Sequence, residues 1–356
     1  MRTQSVFCIF LILLMSGCKD LIDIHEVYLD RGEQHYSGKP AAIELHPGRY
    51  RMEVQFLKSI DPNVMKYVIY WNDKADSAVV TPTAGADTVR TIITGLKEQN
   101  YNFIIVSFDA HESRSLESLK SGKVYGDKYE AGLLSRAVTI SNSLAGLVLT
   151  FGNAEPANVA TEVSYTSASG ALKTVSVPSK VNTYTIPDNK GGQISLKSSF
   201  VPGKGIDTFY SVVAVKSFNP VAADYTCTGS MTDYANSGLT GPYPWNVTLR
   251  ATSLTQVELV DNDYTDDVYH WIKSGGSDSY YGDFGVVISF DTDLNVVSVV
   301  NKYGQPAANG RSAELDPSGV NKYDPVTKTL KVKYWMNQPS VITPHRTSFD
   351  ETFTMK

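Results

Sequence analysis

Four clusters of aromatic residues crowd the last third of the 356-residue chain: Tyr243-Pro244-Trp245, Tyr269-His270-Trp271, Tyr280-Tyr281 and Tyr334-Trp335. Flat indole and phenol surfaces suit the C–H faces of sugar rings, whose hydroxyls then seek amides, carboxylates or guanidinium groups. Asn246, Asn301, Gln305, Asn309 and Arg311 are such anchors in the same stretch. A binding site needs this mixture of large apolar faces and few polar groups. Trp245, Trp271 and Trp335 are therefore the candidate stacking platforms, with Tyr280, Tyr281 and Arg311 as flanks. The competing use of an aromatic residue in a strand is as core or as a cross-strand partner.

Catalytic patterns are missing. The sequence contains no G-x-S-x-G, no phosphate-binding loop, no G-x-G-x-x-G and no H-E-x-x-H, and its six histidines show no ligand spacing. Asp283-Phe284-Gly285 spells the kinase magnesium tripeptide without any other kinase element. Asp291-Thr292-Asp293-Leu294-Asn295 opens like a calcium loop, but Val296 and Lys302 stand where such a loop needs Gly and Glu. Glu258, Asp261, Asp263, Asp266 and Asp267 could be bridged by calcium, though a solvated loop is the commoner use of such a run. The expectation is a protein that is not an enzyme, with no cofactor and no resident metal.

At the N-terminus, Val6–Met15 is an apolar run of a length that suits a signal peptide, too short to span a bilayer as a helix. Small residues and a cysteine follow it, Ser16-Gly17-Cys18. Cys8 falls within this segment, which leaves only Cys227 in the body of the chain and no intramolecular disulfide. The net charge of −5 offers no basic surplus for phosphates, so nucleic acid is excluded as a partner. With 42% hydrophobic and 19% charged residues the composition is that of globular domains, and the length calls for two or three of them.

The elements that must position these residues are strands. Arg49–Phe56 alternates strictly, while Lys66–Trp71 and Asp87–Ile93 are rich in β-branched and aromatic residues. Ser113–Lys120 could form a helical turn or two. The sequence reads as a signal peptide (1–17), a polar tether (18–39), a first β unit (40–125), a second (137–220) and an aromatic-rich β domain (224–356). In the last segment acids outnumber bases 16 to 10. Its strand candidates read as an antiparallel meander or a barrel-like fold. The class is all-β.

In the first β unit Leu96 lies five positions before Tyr101, at the opening of the penultimate strand. That spacing resembles the tyrosine corner of fibronectin type III and immunoglobulin-like sandwiches, and implies two such sandwiches in tandem. Leu14-Met15-Ser16-Gly17-Cys18 resembles a bacterial lipobox, which implies that Cys18 is the acylated mature N-terminus. Lys19-Asp20 resembles the export signal of Bacteroidota surface lipoproteins. Tyr281–Gly285, Asn301–Pro306 and Arg311–Tyr323 resemble uncharacterised modules found in lipoproteins of polysaccharide-utilisation loci, and the whole plan is similar to that of the SusE/SusF-like surface glycan-binding lipoproteins. The resemblance implies an outer-membrane, lipid-anchored, surface-exposed protein that binds glycan beside an outer-membrane transporter complex. The rival expectation is a structural or adhesin-like lipoprotein that contacts protein partners.

Overall fold

The structure, a computed structural model, describes residues 35–356. The signal peptide, the Cys18 lipidation site and most of the tether lie outside the described residues. The chain forms two compact units: residues up to Lys128 together with Gly203–Asp207, and Tyr129–Pro202 together with Thr208–Lys356.

In the first unit β1 (Ala41–Gly48), β2 (Arg51–Leu57), β3 (Val64–Trp71), β4 (Asp76–Val80), β5 (Thr88–Thr94), β6 (Asn100–Asp109) and β7 (Ser118–Lys123) make two antiparallel sheets, β1-β2-β5 and β4-β3-β6-β7. Three strands against four, in this order, is the arrangement of a fibronectin type III sandwich. The alternation seen in the sequence is the cause: Met52, Val54 and Phe56 on β2 are wholly buried while Arg51, Glu53 and Gln55 face outward. Phe56 meets Tyr67 of the opposite sheet edge to face, with centroids 4.9 Å apart. The segment Ser113–Lys120 is not helical. Its second half enters β7, where Ser118–Lys123 pairs with Asn100–Ile105 and gains a strand ladder that a two-turn helix could not match.

The tyrosine corner is present, with the Lys97 amide donating to the Tyr101 hydroxyl at 2.9 Å and Leu96 buried beside it. Tyr101→Phe leaves that amide without its acceptor. It is expected to lower the stability of the first unit by about 1–2 kcal/mol, read as a shift of the urea midpoint at unchanged slope.

The second unit begins within a short helix, α1 (Asp127–Ala131). Strands β8 (Val138–Ser143), β9 (Gly146–Phe151), β10 (Asn158–Ser167), β11 (Leu172–Pro178), β12 (Thr183–Ile186), β13 (Asn189–Phe200), β14 (Phe209–Tyr210) and β15 (Ala214–Ser217) repeat the plan. The sheets are β12-β9-β8 and β11-β10-β13, the latter edged by β14 and β15. Leu149, Val163, Ile194 and Leu196 fill the core between them.

The rest of this unit is a barrel. Eight strands run in the order β23 (Val296–Asn301), β22 (Val286–Phe290), β19 (Gln256–Asp261), β18 (Trp245–Ser253), β16 (Ala223–Asp233), β27 (Ile342–Met355), β26 (Thr329–Gln338) and β24 (Ser312–Leu315), with β25 (Lys322–Asp324) also on β26. The two edges of this sheet meet. At one end Val296 N donates to Asn321 O at 2.8 Å and Tyr323 N to Leu294 O at 3.0 Å. Further along, the Gln305 side chain replaces the ladder, its Oε1 accepting from Asn301 N and Ala313 N, each at 3.0 Å. These hydrogen bonds tie the two edges together. A three-stranded sheet of β17 (Leu239–Thr240), β20 (Trp271–Ser274) and β21 (Ser277–Tyr280), in the order β17-β20-β21, completes the domain.

Candidate functional site

The hairpin of β20 and β21 sets Trp271 directly opposite Tyr280. Opposed residues of an antiparallel pair share a face, so the two rings stand side by side. The loop before β20 brings a third ring across them: Tyr264 lies 6.1 Å from Trp271, nearly parallel, and 6.5 Å from Tyr280. Tyr269 continues the row at 5.1 Å from Tyr280 and stacks on Tyr303 at 4.8 Å with an interplanar angle of 9°. Five aromatic side chains thus form one continuous patch. Tyr264 and Tyr280 are its open part, 44% and 46% exposed.

Polar groups rim the patch. The Trp271 indole N–H donates to Asp278 Oδ1 at 3.0 Å, and Lys273 pairs with the same carboxylate while its ammonium sits 4.9 Å from the Trp271 ring centroid. Tyr264 and Lys273 therefore cover much of Trp271, which is half-buried and supports the patch more than it offers a free face. Burial and the neighbouring Tyr269 hydroxyl push the Tyr303 phenol above its ordinary pKa.

Several residues expected at the site lie elsewhere. Trp245 is 1% exposed, packed inside the barrel at 5.3 Å from His270 and 6.0 Å from Trp271, so no ligand face remains. Tyr281 is also buried, at 4% exposure. Its hydroxyl donates to Asp233 at 2.6 Å and its ring lies 5.5 Å from the Arg311 guanidinium and 5.3 Å from that of Arg346. Trp335 is on the barrel wall, stacked on His345 at 3.9 Å beside Lys333 and Pro344, and belongs to no row of rings. Asn301 and Gln305 tie the barrel seam and are not available as sugar anchors. Tyr264 and Tyr303 lie outside the aromatic clusters read from the sequence, because neither has an aromatic neighbour in the chain. Both reach the patch through loops.

The acidic run is consumed by its own loop. Asp261 accepts from the amides of Asp263, Tyr264 and Thr265, and Asp263 accepts from Asn246 N and Nδ2 at 2.7 and 2.8 Å. These turns are what hold Tyr264 over the hairpin. Among the described residues, no three His, Cys, Asp or Glu side chains are grouped to hold a metal ion. Glu258 belongs to the barrel wall and pairs with Arg250 at 2.5 Å and Lys302 at 2.7 Å. Burial alone would raise its pKa, yet these two cations outweigh burial and hold it below the ordinary carboxylate value. A depressed carboxylate contributes stability above its unfolded pKa and loses it as the pH falls through the folded value. Glu258→Gln is therefore expected to cost about 1 kcal/mol at pH 7, the exposed partners being screened, and nothing near pH 2, as two melting curves would show.

Beneath the patch the barrel interior carries a sealed polar cluster. Glu351, fully buried, accepts from the hydroxyls of Tyr243 at 2.7 Å and Tyr334 at 2.8 Å, and faces His270 Nε2 at 3.1 Å. His270 Nδ1 stands 2.9 Å from the Trp271 carbonyl, which can only accept, so Nδ1 carries a hydrogen. Burial, reinforced by the Glu351 charge, pushes both phenols well above their usual pKa. With Glu351 and His270 both shut from solvent, this cluster positions Trp271 through its carbonyl and offers a substrate no way in.

A family model described as a domain of unknown function, DUF4998, matches residues 18–209. The chain belongs to the DUF4998 family. The matched span covers the first sandwich and most of the second, while the aromatic patch and its barrel follow it. No curated protein matches. Solved structures similar to this DUF4998 chain include the FN1–FN3 domains of chicken CNTN1, at 13% identity over 52% of this chain and 69% of that one, TM-score 0.31. A two-domain fibronectin type III segment of chicken tenascin is 12% identical over 50% of this chain and 98% of that one, TM-score 0.22. The central fibronectin III array of RIM-binding protein is 15% identical over 74% and 97%, TM-score 0.21.

Proposed function

We propose that this DUF4998 protein is a non-catalytic lipoprotein of the bacterial outer membrane, anchored through Cys18, that binds polysaccharide at the cell surface and hands it to a transporter complex. The observation that carries the reading is the patch of Tyr264, Tyr269, Trp271, Tyr280 and Tyr303. A soluble fold gains by burying large rings. A contiguous row in which Tyr264 and Tyr280 are nearly half exposed favours a ligand with apolar faces of its own. The patch is open rather than a closed pocket, and an open platform accepts the interior of a long chain as readily as its end. Carboxylates and one ammonium around the rings supply acceptors and a donor for hydroxyl groups. The two sandwiches, whose cores are packed with aliphatic and aromatic side chains, serve as spacers between membrane and binding domain.

Affinity electrophoresis tests this reading. The protein is run through native gels cast with individual polysaccharides. Retardation on at least one gel without release of reducing sugar is expected, and unchanged migration on a broad panel, or release of sugar, contradicts the proposal.

A further inference from the structure

Close to the patch, one cation has no counterpart. Arg346 is neutralised, donating to Asp233 at 3.2 Å and to Gln338. Asp233 is itself saturated by Tyr281, Thr347 and the amides of Ala235 and Asn236. Arg311 differs. Among the described residues its guanidinium has no hydrogen-bond acceptor and no carboxylate within salt-bridge distance, and its Nε is buried without a partner. Burial and the neighbouring Arg346 pull its pKa below the ordinary guanidinium value.

The surroundings shape this charge into a niche. Residue 282 is glycine with φ +71°, and a Cβ built there would meet only two atoms within 4 Å beyond its chain neighbours. Both are donors: Arg311 Nη1 at 3.3 Å and Asn309 Nδ2 at 3.7 Å. The Asn309 amide nitrogen likewise has no acceptor among the described residues, since Asn309 uses its Oδ1 to receive the Arg311 backbone N–H at 3.1 Å. The missing side chain at 282 thus leaves two unused donors side by side and uncovered by this residue. A carboxylate has two coplanar oxygens that match a guanidinium fork and tolerate an amide donor beside it. Gly282 follows Tyr280 by two residues, a span of at most about 7 Å along the chain, so a group in the niche stays within reach of a ring lying on the patch.

We propose that the niche of Gly282, Asn309 and Arg311 receives the carboxylate of an acidic sugar, so that the glycan recognised is a uronic-acid polymer. The inference rests on the glycan-binding reading and narrows it. Asp283 stands nearby, exposed and outside salt-bridge range of Arg311, so the niche takes one carboxylate of the chain at a time.

The test compares gels containing polygalacturonate, dextran sulfate, or a panel of neutral polysaccharides, for wild type, Arg311→Gln, Arg311→Lys and Asn309→Ala. Circular dichroism melting confirms that each variant is folded. Wild type is expected to be retarded by polygalacturonate, with the apparent affinity falling at least tenfold in Arg311→Gln and less in Arg311→Lys and Asn309→Ala. Unfolding of Arg311→Gln leaves the other two variants to decide by the same criterion. Retardation on neutral gels alone, or polygalacturonate binding that survives in every folded variant, overturns the carboxylate niche while the glycan reading stands. Equal loss on dextran sulfate overturns the assignment to a carboxylate. Absence of retardation on every gel overturns both.

Discussion

Glu351→Ala is expected to destabilise the barrel by about 3–5 kcal/mol, the largest single effect among the polar residues. The carboxylate is the common acceptor of Tyr243 and Tyr334 and the partner of His270; Glu351, His270 and Tyr334 are shut from solvent and Tyr243 is partly buried. Its removal strands two phenol donors and an imidazole in a site that cannot supply water, and a broken buried pair costs more than the intact pair contributes. Glu351→Gln keeps the shape and one acceptor and should lose less. Calorimetry reads the outcome as the melting temperature of the barrel transition. A Glu351→Ala variant that melts within about 2 °C of wild type would mean that water enters the cluster and that the interior is not closed.

The second large effect separates two roles that aromatic residues play a few ångströms apart. Trp245→Ala removes a ring enclosed by His270, Trp271 and the barrel wall and is expected to cost about 3–5 kcal/mol through lost contacts and the cavity left behind. The double substitution Tyr264→Ala and Tyr280→Ala removes two rings that are nearly half exposed and should change stability by about 1 kcal/mol or less, yet abolish retardation on the polysaccharide gel that binds wild type. If the double variant folds and binds as wild type does, the patch is not the site.

The contrast also marks how far the sequence could be read. Strict alternation in Arg49–Phe56 and the Leu96–Tyr101 spacing announced the first sandwich, because a strand with one buried face must repeat every two residues. β16, which lies mid-sheet in the barrel and pairs with both β18 and β27, escaped notice. Its Thr226-Cys227-Thr228-Gly229-Ser230 stretch carries small residues where a reader looks for Val and Ile, and pairing on both sides supplies what side-chain propensity does not. The site was legible in part. Trp271 and Tyr280 could be named because both lie in aromatic clusters, but clustering in sequence does not tell inside from outside. Tyr280 and Tyr281 are adjacent, so a strand end turns one to solvent and the other to Asp233. Trp245 was mistaken for a platform for the same reason. Tyr264 and Tyr303 depend on turns built by Asp261 and Asn301, and a lone tyrosine in a loop carries no signal of the ring it will meet.

The most direct measurement of the central claim is a crystal structure of the protein with an oligosaccharide cut from whichever polysaccharide retards it. A sugar ring is expected in van der Waals contact with Tyr280 and Tyr264, flanked by Trp271 and Tyr269. A sugar bound instead in the groove of Trp335 and His345, or on either sandwich, with the tyrosine patch bare, would contradict it.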